Sequence, residues 1–303
     1  MIKALNWQRV IPALIQILVL SLVMGLGIVI WINISRNLAQ SGIRLGFDFL
    51  NSQASFNLRE TSIPFKPTDT YARALLVGLI NTLKVMAIAI FAATVLGFTI
   101  GIARLSENWL VRNLGMVYVE IIRNTPLLLQ IFFWYSAVFL SLPPQSDSLN
   151  VLWGVLNLSN QSLRVLSFDF SPEFCALVIG LTVYQAAFMA EVVRGSILAI
   201  PLGQWQAAKA MGFNSSQVLG LIILPQALRI IIPPLTSQYV NIAKNSSLGV
   251  AIAYEDIYAI ASTTFNQTGR SVEVVSLLAI TYLLISLVTS LIMNLVNKKV
   301  NAI

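Results

Sequence analysis

The feature that most limits what this chain can become is the recurrence of apolar runs. Each has about the 20 residues needed to cross a hydrocarbon core about 30 Å thick. They fall at residues 11–34, 74–103, 115–142, 172–190, 219–242 and 274–296. In lipid every backbone N–H and C=O must bond within the protein, so only helices or a closed barrel can cross. These runs are continuous rather than alternating, which selects helices. Composition agrees, with 57% of the 303 residues hydrophobic and 10% charged, against about 25% charged in soluble domains. The chain reads as an all-α polytopic membrane protein with six transmembrane helices.

Several chemistries are excluded at once. There is no histidine, and Cys175 is the only cysteine. That removes an intrachain disulfide, imidazole acid–base catalysis and His/Cys metal sites, so no catalytic set and no metal are expected. The net charge of +7 is scattered between the apolar runs and forms no patch, which points to membrane topology and lipid rather than nucleic acid.

Topology follows from those cations. Segments assigned inside carry Lys3, Arg9, Arg104, Arg112, Arg194, Lys209, Lys298 and Lys299. Those assigned outside carry Arg36, Arg44, Arg59, Lys66, Arg73, Arg164, Lys244 and Arg270. The outer segments are longer, so basic density is about twofold higher inside, as the positive-inside rule requires. Both termini are therefore expected in the cytoplasm. Residues 35–73 and 143–171 are expected as outer loops, the second with an apolar piece at 151–156 too short to span. Residues 241–273 form a third outer segment, with a candidate re-entrant piece at 248–253.

Polar groups at membrane depth are candidates for function. Lys84 is expected near the outer interface, snorkelling to water. Glu120 with Arg123, and Glu191 with Arg194, stand three apart on one helical face and are expected as structural ion pairs. In Arg123-Asn124-Thr125-Pro126, continuing to Gln130, Pro126 has no amide to donate, and the polar side chains can bond the freed carbonyls or a solute. A second interruption lies at Pro225 and Pro233-Pro234, where a kink or break is expected, followed by Asn241, Lys244, Asn245 and Ser246. Paired interruptions of this kind mark either a translocation path or plain kinks. Gln185 joins the path candidates.

Residues 191–225, EVVRGSILAIPLGQWQAAKAMGFNSSQVLGLIILP, separate the fourth and fifth runs. Two short helices can be drawn, one at 191–200 ending at Pro201 and one at 204–211. Gly203 supplies a turn between them and Gly212 the C-terminal stop. The alanines of the second helix let a partner pack close to its backbone. Gln206-Ala207-Ala208, three residues, Gly212, nine residues and then Ile222-Ile223-Leu224-Pro225 resembles the EAA signature of ATP-binding-cassette (ABC) importer permeases, with Gln206 in place of the family's Glu. RNTPLLLQIFFWY at 123–135, GLINTLKVMAIAI at 78–90 and the stretch 224–248 resemble the polar amino acid uptake group. GFDFL and SIPF, before the second run, are similar to the general L-amino-acid (Aap/Bzt-like) branch.

The resemblance implies a five-helix permease core, of the MetI-like type, at 74–303, preceded by an extra helix and outer loop at 1–73. It implies a cytoplasmic coupling loop at about 191–220, where Glu191, Arg194, Gly203, Gln206, Ala207, Ala208, Lys209 and Gly212 would face an ABC ATPase. Arg123, Asn124, Thr125, Pro126, Gln130, Gln185, Asn241, Lys244, Asn245 and Ser246 would line the path or gate. The implied partners are the ATPase subunits with their ATP-Mg, a second permease subunit and a periplasmic amino acid-binding protein, all at the bacterial inner membrane. No G-x-x-x-x-G-K-[ST] occurs, so no cofactor is expected in this chain itself. The alternative is a stand-alone ion-coupled transporter or channel, which would call for intramembrane acidic residues; here they fall at span ends.

Overall fold

The computed structural model describes residues 7–40, 46–151, 156–165 and 168–301. Expectations for Lys3, Arg44 and most of the apolar piece at 151–156 fall outside these residues. The chain divides into two compact units, Met1–Asp48 and Phe49–Ile303. The first holds α1 (Trp7–Gln40), a helix of 34 residues, which at 1.5 Å per residue is about 50 Å long. It runs past residue 34 because residues 35–40 contain neither proline nor glycine.

In the second unit, α2 (Tyr71–Ala103), α3 (Trp109–Arg123) and α4 (Leu127–Phe132) lead into a π-helical turn, Phe133–Phe139. Four short strands come next: β1 (Leu149–Val151), β2 (Leu156–Leu158), β3 (Leu163–Val165) and β4 (Phe168–Phe170). They lead to α5 (Pro172–Leu198), α6 (Leu202–Ala210), α7 (Ser215–Gln217) and a π-helical stretch, Val218–Ile223. The chain ends with α8 (Leu224–Asn245), a 3-10 turn (Ser246–Ile252), α9 (Ile257–Thr268) and α10 (Ser271–Asn301).

The core is built around α5, which packs against α2, α3, α4 and α8. Ala176, Leu177, Gly180, Leu181, Ala186, Met189, Ala190 and Val193 are buried along it. Small residues set the approach of α2: a Cβ on Gly97 would stand 2.6 Å from Met189 Cβ, and one on Gly101 would stand 2.8 Å from the Ala190 carbonyl oxygen. Only a bare backbone fits there, which is how helices without a hydrophobic drive between them gain contact in lipid. A smaller cluster joins Phe49, Ala54, Tyr71 and Ala74 to Ile260, Ala261 and Val274. Residues 49–73 thus pack with α2, α9 and α10.

Among the described residues five helices are long and apolar enough to cross a membrane, and α3 with α4 makes a sixth crossing if the pair is one span. The break expected at Pro126 is present, as a bend of 104° between α3 and the helical stretch Leu127–Phe139. Other expectations are corrected. The helix expected at 191–200 is the last part of α5, which continues from the fourth run because no breaker intervenes before Pro201. Gly203 lies inside α6 and makes no turn. The fifth run stays helical through Pro233 and Pro234; the irregularity falls earlier, in the π-helical turn before Pro225. There Gln226 Nε2 donates to the Ile222 carbonyl at 2.8 Å, one residue past the carbonyl that Pro225 leaves without its amide.

The loop expected at 143–171 carries a four-stranded antiparallel meander. The segment 241–273 contains the end of α8 and the whole of α9, capped by Asp256 at its start and by Gly269, with φ +68°, at its end. The last crossing, α10, is longer than the run at 274–296 at both ends.

Candidate functional site

Between α5 and α8 the chain makes a knuckle. Pro201 has no amide to extend α5 and opens α6 instead. Within α6 only Ala208 is buried, at 2% exposure, while Leu202 and, just past its end, Met211 are each 76% exposed. Trp205 and Phe213 pack partly on the core and hold the knuckle in place. Gln204, Gln206, Ala207 and Lys209 all face outward, and among the described residues no carboxylate pairs with Lys209.

The stop is a Schellman closure. Gly212 takes φ +89°; its amide donates to the Lys209 carbonyl at 3.0 Å and the Phe213 amide to the Ala208 carbonyl at 3.3 Å. A left-handed residue is what that pattern needs, and glycine adopts it without a Cβ penalty. Asn214 then opens α7 with a capping box: its side chain accepts from the Gln217 amide at 2.9 Å and the Gln217 side chain accepts from its amide at 3.0 Å. The result is an exposed, doubly capped protrusion with two large apolar side chains and one cation that find no partner among the described residues.

Glu191 and Arg194, expected in the same loop, lie elsewhere. Arg104 at the end of α2 and Arg194 both donate to the Glu191 carboxylate. The triad ties α2 to α5 just before the knuckle. The expected Glu191–Arg194 pair is therefore present, with Arg104 as an added partner that the sequence does not reveal. A cleft lined by Ser106, Glu107, Trp205, Lys209, Ser215 and Ser216 separates the α2–α3 turn from the knuckle.

The polar candidates at membrane depth fall into three places. At the bend, Thr125 Oγ1 donates to the Ile121 carbonyl at 2.8 Å, and Gln130 Nε2 donates to the carbonyls of Ile122 and Thr125, each at 3.0 Å. These side chains replace the donors the break removes, while Gln130 Oε1 remains buried without a partner. Arg123 stands 5.1 Å over the Phe188 ring, and no ion pair joins it to Glu120, contrary to expectation. In the middle of α5, Gln185 Nε2 donates to Gln238 Oε1 of α8; Gln185 Oε1 and Thr182 Oγ1 are buried with no partner. At the end of α8, Asn241 and Lys244 are exposed, Asn245 is half-buried, and Ser246 is buried and donates to the Ala243 carbonyl at 2.8 Å. Among the described residues no hydrogen bond or ion pair joins one of these groups of candidates to another. Gln238 is not among them, although a polar side chain midway along an apolar run is a signal the sequence does carry.

Lys84 also differs from expectation. Its ammonium is 3.0 Å from Glu60 and 4.5 Å from the centre of the Phe174 ring, so it is paired rather than snorkelling to water. Around it, Asn81 Nδ2 donates to the carbonyls of Glu60 at 2.8 Å and Glu255 at 2.9 Å. Glu255 Oε2 accepts the amides of Arg59 at 2.7 Å and Glu60 at 2.9 Å. Burial raises the Glu255 carboxyl above its usual range, with those two amides pulling the other way. Residues 59–62 are thereby strapped across α2 and the corner before α9.

The described residues thus place an exposed, capped knuckle between two long crossings, next to α5, the helix on which the core is built. Residues 93–302 match the family described as the binding-protein-dependent transport system inner membrane component, and the chain belongs to that family. It is thus a membrane-spanning permease of the inner membrane, and the stand-alone ion-coupled alternative is set aside. The chain is 38% identical to the general L-amino acid transport system permease protein AapQ of Rhizobium johnstonii, over 93% of this chain and 90% of that one. It is 37% identical to the putative amino-acid ABC transporter permease protein YhdX of Escherichia coli, over 93% and 92%. A crystal structure of an amino acid ABC transporter with histidines superposes with a TM-score of 0.61 at 26% identity, over 76% of this chain and 95% of that one. An inward-facing MetNI methionine ABC transporter shares the fold, with a TM-score of 0.59 at 18% identity over 75% and 96%.

Proposed function

We propose that this permease carries amino acids inward, received from an external binding protein, and that two ABC ATPase subunits drive it through the knuckle. The observation that carries this reading is the exposed α6 with its Schellman stop. Leu202 and Met211, each 76% exposed, offer apolar surface that a partner can remove from water, and Lys209 offers a cation to an acidic groove. Gly203, Gln206, Ala207 and Gly212 complete that surface, Ala208 seats α6 on the core beneath it, and Glu191 and Arg194 brace α5 behind it.

Because α5 is continuous from its cap at Ser171 to Leu198, a push on α6 reaches the far end of the bundle through one rigid element. ATP-Mg binds in the ATPase, and this chain holds no catalytic residue. The knuckle and both termini face the cytoplasm, with Arg104, Arg194, Lys209, Lys298 and Lys299 on that side. A second permease subunit completes the path, to which Arg123, Asn124, Thr125, Pro126, Gln130, Gln185, Asn241, Lys244, Asn245 and Ser246 contribute from this chain. Residues 74–303 form the permease core, and residues 1–73 add a crossing and an outer segment.

Amino acid names in the related permeases support the substrate class. Uptake of a panel of labelled amino acids into vesicles, with binding protein outside and ATP inside, tests it. ATP-dependent accumulation of at least one amino acid is expected; uptake that needs neither ATP nor an ATPase subunit would defeat the reading.

A further inference from the structure

The meander β1–β4 has two unlike faces. Side chains alternate along a strand, so Asn150, Asn157, Arg164 and Asp169 share one face and the apolar residues share the other. The polar face is internally satisfied: Asn157 Nδ2 donates to Asn150 Oδ1 at 3.0 Å, and Arg164 donates to both Asp169 oxygens at 2.8 and 3.1 Å. The register places two apolar rows on the opposite face, one through Leu149, Leu158, Leu163 and Phe170 and one through Val151, Val165 and Phe168. The first row is seated at its Leu163 and Phe170 end, while Leu149 at its far edge is 47% exposed. Leu163 is 7% exposed, and Phe170 stacks on Phe174 of α5 with ring centres 5.3 Å apart. The second row overhangs the core: Val151 is 40%, Val165 39% and Phe168 68% exposed.

We propose that this overhanging row rests on the lipid bilayer, at the boundary of headgroups and acyl chains, as an interfacial anchor for the Ser171 end of α5. Three observations favour lipid. The sheet joins a crossing directly, since Phe170 is followed by Ser171, whose side chain caps α5. With 27 residues, α5 is about 40 Å long, close to the full bilayer including headgroups, so β4 ends at headgroup level. The apolar face looks toward the helix bundle and the polar face away from it, as an interfacial element requires. The overhang is also only three side chains wide, less than the roughly 500 Å² per partner that a small specific protein interface buries. The proposal rests on membership of a membrane permease family and holds whichever side of the membrane the sheet faces.

The test is nitroxide labelling of the whole transporter complex in bilayer nanodiscs, on a Cys175→Ser background. Labels go to Phe168→Cys and Val165→Cys on the overhang, with Val151→Cys as a further site if either folds poorly. Asn157→Cys on the polar face is the control. Lipid contact predicts overhang labels that collide with oxygen and are shielded from a water-soluble nickel chelate, with the reverse at 157 and a several-fold difference in the ratio. Equal nickel access at 157 and 168 would overturn the proposal in favour of solvent. Shielding from both reagents, with dipolar coupling between labels on two permease subunits, would overturn it in favour of a subunit contact.

Discussion

Replacing Gly212 by alanine isolates the knuckle's stop from everything else. A Cβ at this position meets nothing within 4 Å, so the substitution causes no clash and acts only through the backbone. At φ +89° an L-residue is strained by roughly 1–2 kcal/mol, and relieving the strain means giving up the Gly212–Lys209 and Phe213–Ala208 hydrogen bonds. A loss of that size changes the population of the closed knuckle relative to frayed forms by a factor of about 5–30. If only the closed form docks, and it is marginally stable, ATPase affinity falls by up to that factor. Asparagine, which tolerates left-handed backbone better than alanine, should fall between the two. The assay is titration of purified ATPase onto the permease in nanodiscs, with thermal unfolding of the permease alone as control. Wild-type affinity for Gly212→Ala, or an asparagine variant worse than alanine, would refute the reasoning.

Three perturbations elsewhere in the structure have equally definite outcomes. Asp256, fully buried, has its carboxyl pushed up by burial from 3.8 to about 7. The stability tied to its proton is whole below the unfolded pKa and is lost as pH rises from there through the folded one. The unfolding temperature should therefore drop between about pH 4 and 7, and Asp256→Asn should flatten that slope. Lys84→Met leaves Glu60 half-buried without its cation and should destabilise by roughly 1–3 kcal/mol, while Lys84→Met with Glu60→Gln recovers much of it; thermal unfolding of both variants and the Glu60→Gln single completes the cycle. Gly97→Ala drives a methyl group against Met189 and should cost roughly 1–3 kcal/mol, read as a lower unfolding temperature in detergent.

The parts legible in the sequence are those written locally. Run length marks the crossings, and Gly212 marks the end of α6 because a left-handed stop has a residue signature. Pro126 announces a break but not its angle, which depends on how α3 and α4 each pack on α5. The continuation of α5 to Leu198 is obscured because the polar residues among 191–196 resemble the start of a new element, when only Pro201 breaks the helix. The meander is hidden by strands three residues long, although L-N-V, L-N-L, L-R-V and F-D-F do alternate. For α9 both caps, Asp256 and Gly269, are visible in the sequence, yet the short helix between them falls below the length of a crossing. The Glu60 partner of Lys84 and the Arg104 partner of Glu191 depend on the fold bringing distant segments together, which no local pattern records.

The most direct test of the central claim places a single cysteine at Gln206, on the Cys175→Ser background, in cells co-expressing the ATPase. Docking through the knuckle predicts cross-linking of this cysteine to the ATPase subunit and no reaction with a membrane-impermeant thiol reagent added to intact cells. Labelling from outside, or cross-linking to every neighbour except the ATPase, would contradict it.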